Sequence, residues 1–371
     1  MENILIINPG STSTKIALYS GETRLWQENI EHPADALSIY DTIYDQIDMR
    51  RYLVLEAMKK HGNSPAELTL VMARGGLIPC VSSGAYEITE EMVEVLRDRP
   101  VIHHASNLGA GIALQIARSN GIKGYIYDPV TVDEMIDVTR VTGLRDILRF
   151  GQGHNLNMRA AALRFSRDEN LDYMSVNLIV AHLGGGISLS LHSDGRIIDM
   201  ISDDDGPFSP ERAGLIPTYK LLKKTFSGRY NYDSIMKLLQ RGGGLMSHFE
   251  TSDTRRVIGM AENGDAHAGL ILEAMALNVA KCIAQLSATV CGRVDRIILT
   301  GGMAHSKYIT NMITERVSFI APVHLIPGEN EIEALAHGGL RILRGEEAAR
   351  KYKHDVSRPR ANFHNSEYIQ P

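Results

Sequence analysis

The stretch NILIINPGSTSTKIALY, Asn3 to Tyr19, sets the reading of the whole chain. Ile4 to Ile7 is a short apolar run suited to a buried strand. It ends at Pro9-Gly10, and a run of serines and threonines leads to Lys15 before Ile16 to Tyr19 resumes the apolar pattern. Two strands so close together across small residues predict a hairpin and not a strand-to-helix crossover. The same layout returns near the middle of the chain. Val176 to His182 is an apolar strand, Gly184-Gly185-Gly186 a turn, and Ile187 to Leu191 a second strand. Ser193-Asp194-Gly195 then turns into Arg196 to Met200. Two halves built on one plan are the simplest account.

Between the hairpins, Tyr40 to His61 has helical spacing, and Leu68 to Met72 is a strand ending at Arg74-Gly75-Gly76. Leu108 to Ser119 reads as a helix stopped by Gly121. Gly124 to Tyr127 is a strand that delivers Asp128-Pro129, and Met158 to Phe165 is helical. Later come a long helix, Ala266 to Val290, a strand from Asp295 to Thr300 running into Gly301-Gly302, and a helix from Glu331 to Leu343.

At 371 residues the chain exceeds one ordinary core, so two domains are expected. A composition of 44% apolar and 22% charged residues is that of a soluble globular protein. A net charge of -5 speaks against general nucleic-acid binding. Cys80, Cys282 and Cys291 are isolated, which predicts a reducing compartment and no disulfide framework. With no leader pattern and no uninterrupted apolar stretch of membrane-spanning length, a cytoplasmic protein without a membrane partner is expected.

Strands end repeatedly in glycine turns, at Pro9-Gly10, Gly75-Gly76, Gly184 to Gly186 and Gly301-Gly302. Glycine lets backbone N–H groups approach a phosphate without a Cβ in the way. Neither GxxxxGK[ST] nor GxGxxG is present, so a P-loop kinase and a Rossmann dehydrogenase are disfavoured.

Seven segments carry a family resemblance: INPGSTSTK, HASNLGA, DPVTVDEM, AHLGGGIS, DGPFSPERAGLIP, ILTGGMAHSK and PGENEIEALAHGGLRILRGEE. They occur in order, within a resemblance that covers Ile4 to Glu347, and resemble the motifs of the butyrate kinases. These belong to the acetokinase family, within the superfamily of sugar kinases, actin and heat-shock chaperones. The resemblance implies an α/β fold of two related ribonuclease H-like (actin-like ATPase) domains. Each would hold a five-stranded mixed sheet flanked by helices, around a nucleotide cleft. The expected division is 1–150 for the acyl and phosphoryl side, with a helix at about 331–350 packing back onto it. Residues 151–330 would be the nucleotide-binding and dimerisation domain, and 351–371 a polar tail.

The implied reaction is reversible phosphoryl transfer from ATP, with Mg²⁺, to butyrate or a branched short-chain fatty acid, giving an acyl phosphate and ADP. In the fermentative direction it makes ATP. In the opening turn Ser11, Ser13 and Lys15 would surround the transferring phosphoryl group with donors, beside Asn8 near the magnesium. A solvated hairpin turn is the plainer account of the same residues. Asp128 and Glu331 resemble the family's carboxylates at the metal. His154 resembles a histidine that contacts the phosphoryl oxygen, and His182 one that helps fix phosphate or its neighbours. Around His154 the sequence departs from the family, with Gly151-Gln152-Gly153 in place of a more usual Ser-Ile-Phe. Arg74 and Arg212 are the arginines whose planar forks suit both carboxylate and phosphoryl oxygens. Gly184, Gly185, Gly186 and Asp205 would lie at the β-phosphate. Gly301 and Gly302, with Met303 to Ser306, would line the adenosine pocket, and Lys307 would border the purine. Pro79, Ala85 and Tyr86 are expected in the acyl-pocket wall. An acetate or propionate kinase is one alternative, and an actin-like nucleotide-binding protein without kinase chemistry another. A homodimer or larger homo-oligomer is implied.

Overall fold

The computed structural model describes residues 2–79 and 81–353; Cys80 and most of the 351–371 tail lie outside that range. The chain divides into two compact units, one of residues up to Asp133 together with those from Asn330 on, the other Glu134–Glu329.

In the first unit β1 (Asn3–Pro9) and β2 (Ser13–Ser20) form the hairpin, and β3 (Thr23–Glu31) continues it. β4 (Leu70–Arg74) adds parallel to β1, β5 (Ala85–Glu87) pairs antiparallel with β6 (Lys123–Tyr127), and β6 lies parallel to β4. The sheet has seven strands, not the five the resemblance implied. Its inner five run β3-β2-β1-β4-β6. The extra two arise at an edge left open by β6: β5 pairs there, and Arg350–Lys351 then adds parallel to β5. The Arg350 guanidinium donates to the Ser83 carbonyl at 2.6 Å and pins this last piece.

Residues Ile4 to Ile7 of β1 are buried because both faces of the sheet are covered. The helix Leu108–Ser119 lies on one face; a Cβ on Gly109 would stand 2.9 Å from the Arg74 carbonyl, so glycine permits the approach. The helix Glu331–Leu343 covers the other face, with Gly339 over Ile4 and Met72 and Gly338 over Tyr127. Each fully buried isoleucine contributes about 1.5–3 kcal/mol relative to exposure.

The second unit holds β7 (Leu178–Leu183), β8 (Ile187–Ser193), β9 (Arg196–Ile201), β10 (Arg296–Gly301) and β11 (Val323–Pro327). The order is β11-β10-β7-β8-β9, with β7 to β9 antiparallel and β10 and β11 parallel to β7. This repeats the inner five of the first unit strand for strand. Both second hairpins even carry a register shift, at Leu18/Tyr19 and at Leu191/His192.

The helix Asn155–Asp168 meets one face of this sheet, where Met158 touches Ser188 and Ser190. The helix Ala266–Thr289 packs on the other. By length and composition alone that second helix could cross a bilayer, although Glu273 and Lys281 interrupt it. Its apolar side chains, Ile271, Leu272, Met275, Val279, Ile283 and Leu286 among them, are instead buried against β7 and β8. That is how a core helix meets the same criteria.

Candidate active site

The motif residues gather into two groups, one in each unit. In the first, alternation along paired strands puts Asn8, Lys15 and Arg74 on one face. Asn8 stands opposite Lys15 in the β1–β2 register, and Arg74 opposite Tyr127. The helix Glu331–Leu343 delivers Glu331 to the same place. Asn8 Nδ2 donates to Glu331 Oε2 at 2.8 Å, and Arg74 donates to the same carboxylate at 2.9 Å. Two residues far apart in sequence thereby hold one carboxylate at the strand ends. Lys15 is exposed and makes no ion pair with a described residue. Ser11 is also exposed, and Ser13 half-buried.

Asp128 is buried with φ 38°, in the left-handed region that few side chains adopt. Its Oδ1 accepts the Gly84 N–H at 2.6 Å. Gly75 and Gly76 have a packing reason: a Cβ would meet Pro129 at 2.6 Å and Asn107 at 2.5 Å, respectively. That closeness seats Arg74 beside the Asp128-Pro129 turn. Ala85 and Tyr86 are core residues of β5, the Tyr86 hydroxyl donating to the Ser82 carbonyl, while Pro79 is half-buried.

The second group centres on His182, the penultimate residue of β7, only 1% exposed. His154 lies flat on it, ring centroids 3.9 Å apart and planes 13° from parallel. Ser188 Oγ holds His154 Nδ1 at 2.9 Å. Gly153, just before His154, has a packing cause: a Cβ there would stand 2.5 Å from Met200 Cε and 3.0 Å from Ser188. The missing Cβ lets this segment come down closely on β8 and β9, where one imidazole lies on the other.

Asn157, not anticipated from sequence, donates through Nδ2 to His182 Nδ1 at 2.8 Å and reaches Thr300 Oγ1 at 3.3 Å. The ring proton is therefore on Nε2. That Nε2 is buried without a hydrogen-bond partner among the described residues; the Glu329 carboxylate is 3.5 Å away. A buried donor left open at a glycine turn fits a phosphate oxygen.

Gly184 to Gly186 carry no side chains, but carboxylates stand close by. A Cβ on Gly184 would meet Glu329 at 3.2 Å, on Gly185 Glu211 at 3.6 Å, and on Gly186 Asp203 at 2.5 Å. Arg212 is tied to this rim, donating from Nε to Asp203 at 3.0 Å and from NH1 to the Gln240 carbonyl. Burial, and then the Asp203 charge, push the Asp204 carboxyl above its usual range. Asp205 is exposed and bonded to Ser202. Polyphosphate beside so many carboxylates calls for a cation. No cluster of three or more metal-ligating side chains occurs among the described residues. Gly301, at φ 88°, abuts Leu183, whereas a Cβ on Gly302 would meet nothing. Met303 and Ala304 are buried, and His305 and Lys307 are exposed.

A hairpin-based sheet repeated in two units, each with polar side chains collected at strand ends, is the two-domain architecture that the sequence resemblance implied. Residues 151–322 match the Acetokinase family. Butyrate kinase 1 of Clostridium acetobutylicum is 44% identical over 355 residues, 95% of this chain and 100% of that protein. Probable butyrate kinase 2 of Caldanaerobacter subterraneus is 43% identical over 353 residues, again 95% and 100%. Porphyromonas gingivalis acetate kinase superposes with a TM-score of 0.76 at 18% identity, over 92% of this chain and 100% of that one. Entamoeba histolytica acetate kinase gives 0.73 at 17%, over 91% and 98%. The chain belongs to the acetokinase family. It is accordingly an ATP-dependent phosphotransferase acting on a carboxylate group, with ATP and Mg²⁺ as cofactors.

Proposed function

We propose that the chain is a butyrate kinase, moving the γ-phosphoryl group of ATP reversibly to the carboxylate of butyrate or a branched four- or five-carbon acid. The observation that carries this is the 44% identity to a butyrate kinase across that protein's whole length. A carboxylate acceptor is already an anion, so no general base is needed, and the protein's task is to offset repulsion between oxygens.

In this reading Ser11, Ser13 and Lys15 donate to the phosphoryl group. His182 Nε2–H donates to it as well, with His154 stacked beside it. Arg74 and Arg212 steady acceptor and phosphoryl oxygens. Gly184 to Gly186 and Asp205 lie at the nucleotide phosphates, and Gly301 and Gly302 at the adenosine. Asn8, Asp128 and Glu331 would hold Mg²⁺, which when bound would supply positive charge against the phosphate oxygens. The reading assigns residues 1–150 to the acyl and phosphoryl side and 151–330 to the nucleotide. It places the enzyme in the cytoplasm, in the ATP-forming step of fermentation.

A homodimer through the second unit is part of the same proposal. Leu215, Tyr219, Leu222 and Phe226 are exposed there, and the helix Thr218–Thr225 buries none of its residues within the chain. A light-scattering mass equal to the 41.0 kDa chain would refute it.

The activity test is acyl hydroxamate formation with ATP and Mg²⁺ across acetate, propionate, butyrate, 2-methylpropanoate and 3-methylbutanoate. A maximum at the four-carbon acids is expected. A maximum at acetate or propionate would replace the substrate and keep the chemistry. Each methylene changes discrimination by only about 1–3 kcal/mol, so the panel must be read as ratios of kcat/KM.

A further inference from the structure

Arg50, on the helix Ile47–Lys60, is 0% exposed, and no acidic side chain among the described residues pairs with it. Its guanidinium is spent on the opening turn. NH1 donates to the carbonyls of Gly10 at 2.8 Å and Ser13 at 3.2 Å and to Thr14 Oγ1 at 3.1 Å. NH2 donates to the Ser11 carbonyl at 3.2 Å. Gln46 Oε1 steadies the fork, 3.2 Å from Nε and 2.9 Å from NH2. The remaining carbonyl of the turn, that of Thr12, accepts the His32 N–H at 2.7 Å. All four carbonyl oxygens from Gly10 to Ser13 are thus held from the protein side. The N–H groups of Ser11 and Thr12 donate to no described residue, and both residues are exposed.

We infer that Arg50 is the positioning residue of this turn. It turns the carbonyl dipoles inward, leaves amide and hydroxyl donors outward, and places behind them a positive charge that a bound phosphoryl group neutralises. Such an array of outward N–H groups is an anion-binding concavity. A buried guanidinium without a carboxylate is costly until an anion approaches. Burial lowers its pKa to about 10, which leaves it protonated at neutral pH. The inference rests on the reading that the turn receives the phosphoryl group, and it deepens that reading.

The test uses the full chain with Arg50→Met, Arg50→Lys, Gln46→Met and the double variant Ser11→Ala/Ser13→Ala. Calorimetric affinities for ATP and for AMP are measured alongside steady-state kcat and KM, after melting curves show each variant folded. Arg50→Met should weaken ATP about tenfold or more while AMP is unchanged, and Arg50→Lys should recover part of the loss. A purely structural role would weaken both nucleotides alike or neither, and either result overturns the inference. Should Arg50→Met not fold, Arg50→Lys and Gln46→Met decide it by the same ATP-to-AMP ratio. If the serine double variant keeps wild-type ATP affinity and kcat, the phosphate reading of the turn itself fails. If that variant loses ATP and the Arg50 variants do not, the inference alone fails.

Discussion

Asn157 Nδ2 lies 2.8 Å from His182 Nδ1, and this one hydrogen bond decides which ring nitrogen of the buried histidine carries its proton. The Nδ2 amino group of Asn157 can only donate, so Nδ1 accepts and Nε2 is the donor. Asn157→Asp is nearly isosteric but accepts, which reverses the tautomer. It should therefore lower kcat about 100-fold or more, like the loss of an oxyanion donor, with little change in the KM for ATP. Asn157→Leu, which leaves the tautomer unfixed, should fall less. Steady-state hydroxamate kinetics check it; equal kcat in wild type and Asn157→Asp would remove His182 Nε2 from the mechanism.

Gly153→Ala would press a methyl group onto Met200 Cε at 2.5 Å. Overpacking of this kind costs about 1–3 kcal/mol and would lift His154 from His182. Adding Met200→Ala makes room for the new methyl, so the double variant should recover part of the activity lost by Gly153→Ala. A double-mutant cycle in urea unfolding and in kcat measures the coupling.

Glu331 is held by both Asn8 and Arg74. Its ion pair with Arg74 is partly exposed, so Glu331→Gln should change stability by less than about 1 kcal/mol. If Glu331 serves Mg²⁺, the same variant should raise the Mg²⁺ concentration for half-maximal rate about tenfold. A magnesium titration at saturating ATP reads this, and an unshifted midpoint would return Glu331 to a purely structural role.

His32 and His192 should make the fold acid-sensitive. Burial, with Arg50 close by, lowers His32 from 6.5 to about 4. Burial, with Arg159 close by, lowers His192 from 6.5 to about 3. The unfolded chain binds these protons first, so stability is fully present above pH 6.5 and falls as pH drops toward those values. Within that window each histidine contributes a slope of about 1.4 kcal/mol per pH unit. Urea melts at successive pH values test it, and His32→Gln, which keeps a neutral partner for Thr14, should flatten the slope.

Both hairpins, the helices Leu108–Ser119 and Glu331–Leu343, and the strands ending at Arg74, Tyr127 and Gly301 follow from local pattern. Apolar period and turn residues act within a few positions, so a single sequence displays them. The motif order was enough to point to the family and its chemistry. The short strand Ala85–Glu87 and its partner Arg350–Lys351 were not legible. They are too brief to show a period and exist because β6 leaves an edge unpaired.

The same division runs through the site. Asn8, Arg74, His182 and the glycines could be chosen from sequence because each ends a strand or forms a turn. Arg50, Asn157 and the packing cause of Gly153 could not. Arg50 sits in an ordinary helical pattern that reads as a surface charge, yet the fold buries it against a turn 36 to 40 residues away. Asn157 meets a histidine 25 residues later and a threonine 143 residues later. Local periodicity and turn chemistry determined which elements form and where their ends lie. Which polar groups meet inside was decided only when the sheets closed under their helices. Burial then required each donor to find an acceptor, whatever their separation along the chain.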